Sequence, residues 1–355
     1  MIAQRRRWER LAERLVEAGL DALLVTRDMN VRWLTGFTGS AGSCLIRADG
    51  ACLLATDGRY AEQAAAEAPD VELVIDRTRG WLPGRLGAGE RLGVESHALP
   101  WDDARALTDE LGPERVVPAG GHVEVLRQTK DDAEIELIRR ACAVTSQAFA
   151  ALLGWLAPGM TEVEAARRLR DEIESLGADG LAFSTILASG PNSARPHHRP
   201  TTRRLARGDL VKVDFGAMAG GYCADMTRVA ALGAVDPQLR RVYEIVRDAQ
   251  AAGVVAVRDG VGASAVDAAC RDLIAAAGYG EAFVHGTGHG LGLEIHEQPI
   301  LTQRATATLA TGMTVTVEPG IYLPGVGGVR IEDTVVVLPS GSEPLTTAAH
   351  ELVVL

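Results

Sequence analysis

Gly208-Asp-Leu-Val-Lys-Val-Asp214-Phe-Gly216 and Gly312-Met-Thr-Val-Thr-Val-Glu318-Pro-Gly320 match position for position, glycine to carboxylate to glycine. Their acids stand 104 residues apart (214 to 318). Upstream, Thr161-Glu-Val-Glu-Ala-Ala166 and Ser264-Ala-Val-Asp-Ala-Ala269 each read as the start of a helix, 103 residues apart (161 to 264). Thr161 and Glu164 are spaced as a capping box. Independent segments have no reason to share nearly one offset, so this part of the chain is an internal repeat, each half a helix followed by a strand that ends in an acid. The two acids can then face each other across a pseudo-twofold axis.

Strand alternation puts each terminal acid on the face of Lys212 or Thr316 and the valines on the other, so the acid face should line a polar cavity. A second acidic segment follows each strand: Ala224-Asp225-Met226-Thr227, then Ile331-Glu332-Asp333-Thr334. Four converging carboxylates repel by on the order of 4 kcal/mol per pair at about 4 Å and an effective dielectric of about 20, unless protonated or bridged by cations. Two divalent metals offset that repulsion. A nitrogen donor is available in His285-Gly-Thr-Gly-His289-Gly-Leu-Gly-Leu-Glu-Ile-His296-Glu297, where glycines flanking His289 allow close backbone approach. Oxygen ligands with one imidazole favour Mn²⁺, Co²⁺ or Zn²⁺. The glycine run is not a dinucleotide fingerprint, because Leu291 sits where the third glycine should fall, and Asp214-Phe215-Gly216 lacks every other kinase element.

Outward from the repeat, Asp131 to Trp155 has helical period with acids at its start, and a boundary near Arg127-Gln128 divides the chain into domains 1–127 and 128–355. Residues 1–127 alternate amphipathic helix, as at Arg6 to Ala18, with short strands at Ala22–Val25, Cys44–Ile46, Cys52–Thr56, Val71–Ile75 and Arg115–Val117, an α/β domain. The 355 residues are 47% hydrophobic and 23% charged, a composition able to bury a large core. A net charge of −11 argues against nucleic acid or an anionic membrane surface as partner. Five scattered cysteines without a C-x-x-C pair read as reduced core residues, and no apolar segment follows the basic N-terminus as in a secretory signal, so a cytoplasmic location is expected. The uncharged run Ala141 to Thr161 contains polar residues and a Pro158-Gly159 break, and reads as buried helix and turn.

The set Asp214, Asp225, His289, Glu318 and Glu332, in the settings V-D-F-G, A-D-M-T-R, G-T-G-H-G-L-G-L-E-I-H-E, T-V-E-P-G-I-Y and V-R-I-E-D-T, closely resembles the dinuclear metallopeptidases of the pita-bread fold (M24B type). Among these it looks like the Xaa-Pro peptidases, aminopeptidase P and prolidase, since a creatinase-like N-terminal α/β domain precedes the α+β catalytic domain with its pseudo-twofold repeat. The resemblance implies two divalent metals, Mn²⁺ first, with Asp225 and Glu332 bridging them, Asp214 completing one, and His289 with Glu318 the other. It also implies a hydroxide shared by the metals as nucleophile, and Glu318 as proton shuttle. His296 resembles the histidine at the scissile carbonyl, His197 the one near the scissile nitrogen, His285 a substrate contact, and Arg330 an arginine that orients the ligands. His198, adjacent to His197, reads as a supporting or exposed residue.

The implied substrate is a proline-containing peptide, cut before the proline, and the implied assembly is a homodimer. Thr35-Gly-Phe-Thr-Gly-Ser-Ala-Gly42 and Thr56-Asp-Gly-Arg-Tyr60 look more like aminopeptidase P. The alternative is a dipeptidase, with Arg304 placed to bind the free carboxylate of a dipeptide. A catalytically inactive pita-bread binding protein is the alternative of another class; it is disfavoured because no ligand position is substituted.

Overall fold

A computed structural model describes residues 2–355, with side chains from Gln4 onward. The chain separates into two compact units, Met1–Arg127 and Gln128–Leu355.

In the first unit, α1 (Ile2–Glu17) buries Trp8, Leu11, Ala12 and Leu15, a stripe at helical spacing. Then follow β1 (Ala22–Val25), α2 (Asp28–Thr35), β2 (Gly42–Arg47), β3 (Cys52–Thr56), α3 (Ala61–Glu67), β4 (Glu72–Ile75), β5 (Leu92–Val94), α4 (Trp101–Leu111), β6 (Val116–Pro118) and α5 (His122–Arg127). The strands form one sheet in the order β4-β3-β2-β1-β5-β6, antiparallel across β1, β2 and β3 and parallel on both flanks. The five expected strands are all present. The sixth, β5, was not expected, because three residues centred on Gly93 carry no alternation. It lies inside the sheet because Gly93 lets neighbours close in: a Cβ there would stand 2.8 Å from Ala119 Cβ and 2.9 Å from Leu20 Cδ1.

The second unit is built twice. Its first half runs α6 (Asp132–Leu153), α7 (Glu162–Ser175), β7 (Gly180–Leu181), β8 (Ile186–Ser189), β9 (Leu210–Phe215), β10 (Ala217–Ala219), β11 (Tyr222–Cys223) and β12 (Met226–Ala231). Its second runs α8 (Pro237–Ala256), α9 (Ala263–Ala276), β13 (Gly288–Gly290), β14 (Glu297–Leu301), β15 (Thr314–Val317), β16 (Gly320–Leu323), β17 (Gly327–Arg330) and β18 (Asp333–Leu338), followed by β19 (Gly341–Pro344) and β20 (Val353–Val354). The sheets are ordered β20-β12-β9-β8 and β14-β13-β15-β18-β19, so β8-β9-β12 in one half answers β13-β15-β18 in the other. Thr161 and Glu164 close the expected capping box on α7, and Asp131 and Glu134 close another on α6.

Each half packs its helices on the valine face of its strand. Val211, Val213 and Phe215 of β9 join Phe149, Leu152, Leu169 and Ile173 of α6 and α7. Val315 and Val317 of β15 join Val242, Val246, Val266 and Ile274 of α8 and α9. Lys212, Asp214, Thr314 and Thr316 therefore turn away from the helices, as the alternation requires. All five cysteines are buried and none is disulfide-bonded. Among the described residues, no helix is long and apolar enough to cross a membrane.

Two glycines stand where neighbouring backbone comes close. A Cβ at Gly216 would collide with the Ala224 carbonyl, and one at Gly288 with the Thr316 carbonyl. Gly288→Ala and Gly216→Ala should each destabilise the second unit by about 3 kcal/mol, the cost of overpacking against backbone, read as a lowered unfolding midpoint in urea.

Candidate metal centre

The strand ends of both halves deliver the acids to one place. Asp214 sits near the end of β9, Asp225 just before β12, Glu318 just after β15 and Glu332 just before β18, while His289 is the middle residue of β13. One ligand atom each from Asp225, His289 and Glu332 lie within 4.8 Å of one another. His289 Nε2 stands 3.6 Å from Asp225 Oδ2 and 3.4 Å from Glu318 Oε1. Asp214 is joined through Arg330, whose Nη2 bonds Asp214 Oδ2 while Nε lies 3.8 Å from Glu318 Oε2.

The donor set fits a cation. Asp214 Oδ1, Asp225 Oδ1 and Glu332 Oε1 are buried and accept no hydrogen bond, and a buried oxygen without a donor is costly. His289 Nδ1 lies 3.0 Å from the Gly290 carbonyl, which holds the proton on that nitrogen and leaves the Nε2 lone pair facing the carboxylates.

The halves are cross-tied by Thr227 and Thr334, which stand two residues after Asp225 and Glu332. Thr227 Oγ1 donates to Glu332 Oε2 at 2.7 Å, and Thr334 Oγ1 donates to the Asp225 carbonyl at 2.9 Å. Arg330 Nε in turn donates to Thr227 Oγ1 at 3.0 Å. Arg228, fully buried, donates to the Glu332 carbonyl at 2.6 Å and to Asp333 at 2.7 Å, bracing the backbone that carries Glu332.

Of the other expected residues, His296 touches this group and His285 reaches it through Tyr322. His296 presents its ring edge-on to His289 at 4.4 Å between centroids, and both His296 and His197 are exposed. His285 is engaged on both nitrogens: Nδ1 donates to the Gly286 carbonyl at 2.7 Å, and Nε2 accepts from Tyr322 Oη at 2.8 Å. Tyr322 also accepts from Arg330 Nη1 at 2.8 Å. Tyr322, Thr227 and Arg228 lay inside motifs already noted, yet their partners are far away in sequence, so spacing alone gave them no role. His198 is buried against Glu162 at 2.8 Å, a supporting position. Arg304 is exposed in the turn after β14 and has no hydrogen-bond or ion-pair partner among the described residues. A second acidic group, Glu95, His97 and Glu124, is largely committed within the first unit: Glu95 accepts from the Thr26 and Arg27 amides and from Asn30 at the start of α2.

Burial and mutual repulsion push the Asp225 and Glu332 carboxyls well above their ordinary range, and Arg330 only partly opposes this. Burial raises Glu318 to about 7, again against Arg330. The imidazoles move the other way. Burial lowers His285 to about 4 and lowers His289, and desolvation of the inward side of the otherwise exposed rings lowers His296 and His197 as well. Burial also works against the charge on Arg330, but Tyr322, Asp214, Glu318 and Glu332 outweigh it and hold the guanidinium protonated.

A family model described as metallopeptidase family M24 matches residues 136–339, and one described as the creatinase/prolidase N-terminal domain matches residues 7–129. The chain belongs to metallopeptidase family M24. This M24 peptidase is 40% identical to the uncharacterized peptidase YqhT of Bacillus subtilis, over 98% of this chain and 99% of that protein. Its structure is similar to that of an Xaa-Pro dipeptidase from Bacillus anthracis, with TM-score 0.96 and 39% identity over 99% of this chain and 100% of that one. An X-Pro aminopeptidase from Thermotoga maritima matches with TM-score 0.89 and 34% identity over 97% and 99% of the two chains. The M24 peptidase thus pairs a creatinase-type α/β domain with a pita-bread catalytic domain, and it is a metal-dependent hydrolase.

The raised acids and lowered histidines act on stability with opposite signs. A histidine lowered on folding loses protons relative to the unfolded chain only below about 6.5, so above that pH its contribution is complete. The raised carboxyls bind more protons folded than unfolded up to their folded values, so stability falls as pH rises through them. The metal-free M24 peptidase should therefore lose stability as pH rises from about 6.5 to 8, and Mn²⁺ should abolish that decline; thermal unfolding of chelator-treated and reloaded protein measures both.

Proposed function

We propose that this M24 peptidase hydrolyses the bond between an N-terminal residue and a following proline. Asp225 and Glu332 would be shared between two divalent cations, Asp214 would complete one, and His289 with Glu318 the other. Manganese fits this oxygen-rich set best, with cobalt or zinc as further candidates. When bound, the cations neutralise the carboxylates and supply an activated water and Lewis acidity at neutral pH.

The observation that carries this reading is the meeting of three donorless buried oxygens with the free Nε2 of His289. Glu318, raised to about 7, is poised to take and return a proton near neutral pH. His296 and His197, with lowered pKa values and exposed edges, present neutral N–H donors towards the carbonyl oxygen and nitrogen of the scissile bond. Arg330 holds Asp214 and, through Thr227 and Tyr322, the groups around it. Two relatives whose names specify Xaa-Pro or X-Pro cleavage support proline after the cut. The five buried, unbridged cysteines support a cytoplasmic location.

A dipeptidase is the second reading, favoured by Arg304, an exposed guanidinium without a partner among the described residues. Metal analysis followed by hydrolysis of Gly-Pro and of an Xaa-Pro-Yaa peptide, with and without Mn²⁺, separates the two. Turnover of the longer peptide is expected for the aminopeptidase; turnover of neither, with no metal bound, would overturn the proposal. Asp225→Ala should reduce kcat/KM on the order of a thousandfold and lower the metal content, as loss of several kcal/mol of transition-state stabilisation requires. If the enzyme is a dipeptidase, Arg304→Ala should raise KM for Gly-Pro by about 10- to 100-fold, the worth of one charge-assisted hydrogen bond, and spare Xaa-Pro-Yaa.

A further inference from the structure

Lys212 lies on the acid face of β9 and is fully buried. A lysine at such a depth is retained only if its three N–H donors are matched. They are: Nζ donates to the carbonyls of Ser193 at 3.2 Å, Arg195 at 2.8 Å and Pro196 at 3.4 Å. Its remaining side faces the Tyr322 ring, 4.9 Å from the centroid. The three acceptors are the last turns of backbone before His197. Arg330 Nη1 adds a bond to the Pro196 carbonyl at 3.3 Å.

The far side of His197 is held as firmly. Glu162, also fully buried, accepts there from His198 Nε2 and from the Thr201 amide and hydroxyl, and ties them back to Ser189 and Asn192 upstream of His197. His197, exposed and without a side-chain hydrogen bond among the described residues, thus projects from a backbone clamped on both sides. The repeat supplies an independent parallel. The residue 104 positions beyond Lys212 is Thr316, and its hydroxyl accepts from the His289 amide at 3.1 Å and donates to Glu318 at 3.3 Å. In each half, the residue two before the strand-end acid secures the backbone of a histidine-bearing segment.

We propose that Lys212 is a positioning residue for the reaction: its ammonium gathers the carbonyls of Ser193, Arg195 and Pro196 and so sets the height and direction of His197 over the site. This rests on the role given to His197 above. A methyl-ended side chain of equal length leaves three inward carbonyls without donors, and the segment turns towards water to satisfy them.

The test uses the metal-loaded enzyme and its Lys212→Met and Lys212→Gln variants. In Lys212→Met, kcat on an Xaa-Pro-Yaa peptide should fall about 10- to 100-fold, as for a displaced reacting group, with KM changed less than about threefold. Amide exchange should quicken across residues 190–198, metal content should be unaltered, and Lys212→Gln should fall between. In a His197→Ala background, Lys212→Met should cost less than about threefold more, because the two act through one contact. Losses that add in the double variant, or wild-type exchange across 190–198, would overturn the proposal. If His197→Ala alone turns over at the wild-type rate, the role of His197 fails, and the exchange measurement by itself decides whether Lys212 holds the segment.

Discussion

Everything in the catalytic unit answers to one electrostatic constraint: Asp214, Asp225, Glu318 and Glu332 are brought out of water at nearly one point with too few donors to satisfy them. Among the described residues, Arg330 is the one guanidinium set among them, bonded to Asp214 and close to Glu318. One positive charge does not balance four carboxylates, and the shortfall shows in the orphaned oxygens and in the upward displacement of three acids. The protein keeps these groups poised for cations instead of quenching them with lysines. The one lysine on the same face, Lys212, spends its donors on backbone.

Such crowding survives because the acids hang from strand ends whose other faces are anchored in two separate apolar cores. Val211 and Val213 tie β9 to α6 and α7, and Val315 and Val317 tie β15 to α8 and α9. The strain of gathering like charges is carried by the whole unit and not by any one loop. Thr227 and Thr334 then stitch the halves together at Glu332 and Asp225, so that displacing Asp225 disturbs Glu332 as well. Glycines at 216 and 288 admit the close backbone approach this geometry needs.

The repeat made much of this legible in advance. The matched strands, the alternation that turns the acids away from the valines, the capping box at Thr161 and the five strands of the first unit follow from local pattern, and local pattern is visible in a linear chain. Strand β5 escaped because its three residues carry no period, and its place in the sheet is decided by Ala119 and Leu20 closing on Gly93. Tyr322 escaped for another reason: nothing near it in sequence says that its hydroxyl links His285 to Arg330. Lys212 was legible as sharing a face with Asp214, but its acceptors at 193–196 were not.

Residue order alone therefore determined which side chains are chemically equipped to hold cations, that their acids come in two matched pairs, and that the first acid of each pair ends a strand, because periodicity and repetition are properties of the string. Only tertiary structure decided how they meet. Distances between His289, Asp225 and Glu332, the tautomer enforced by Gly290, the oxygens left without donors and the clamp around His197 all join residues remote along the chain, and such contacts exist only once both cores have closed.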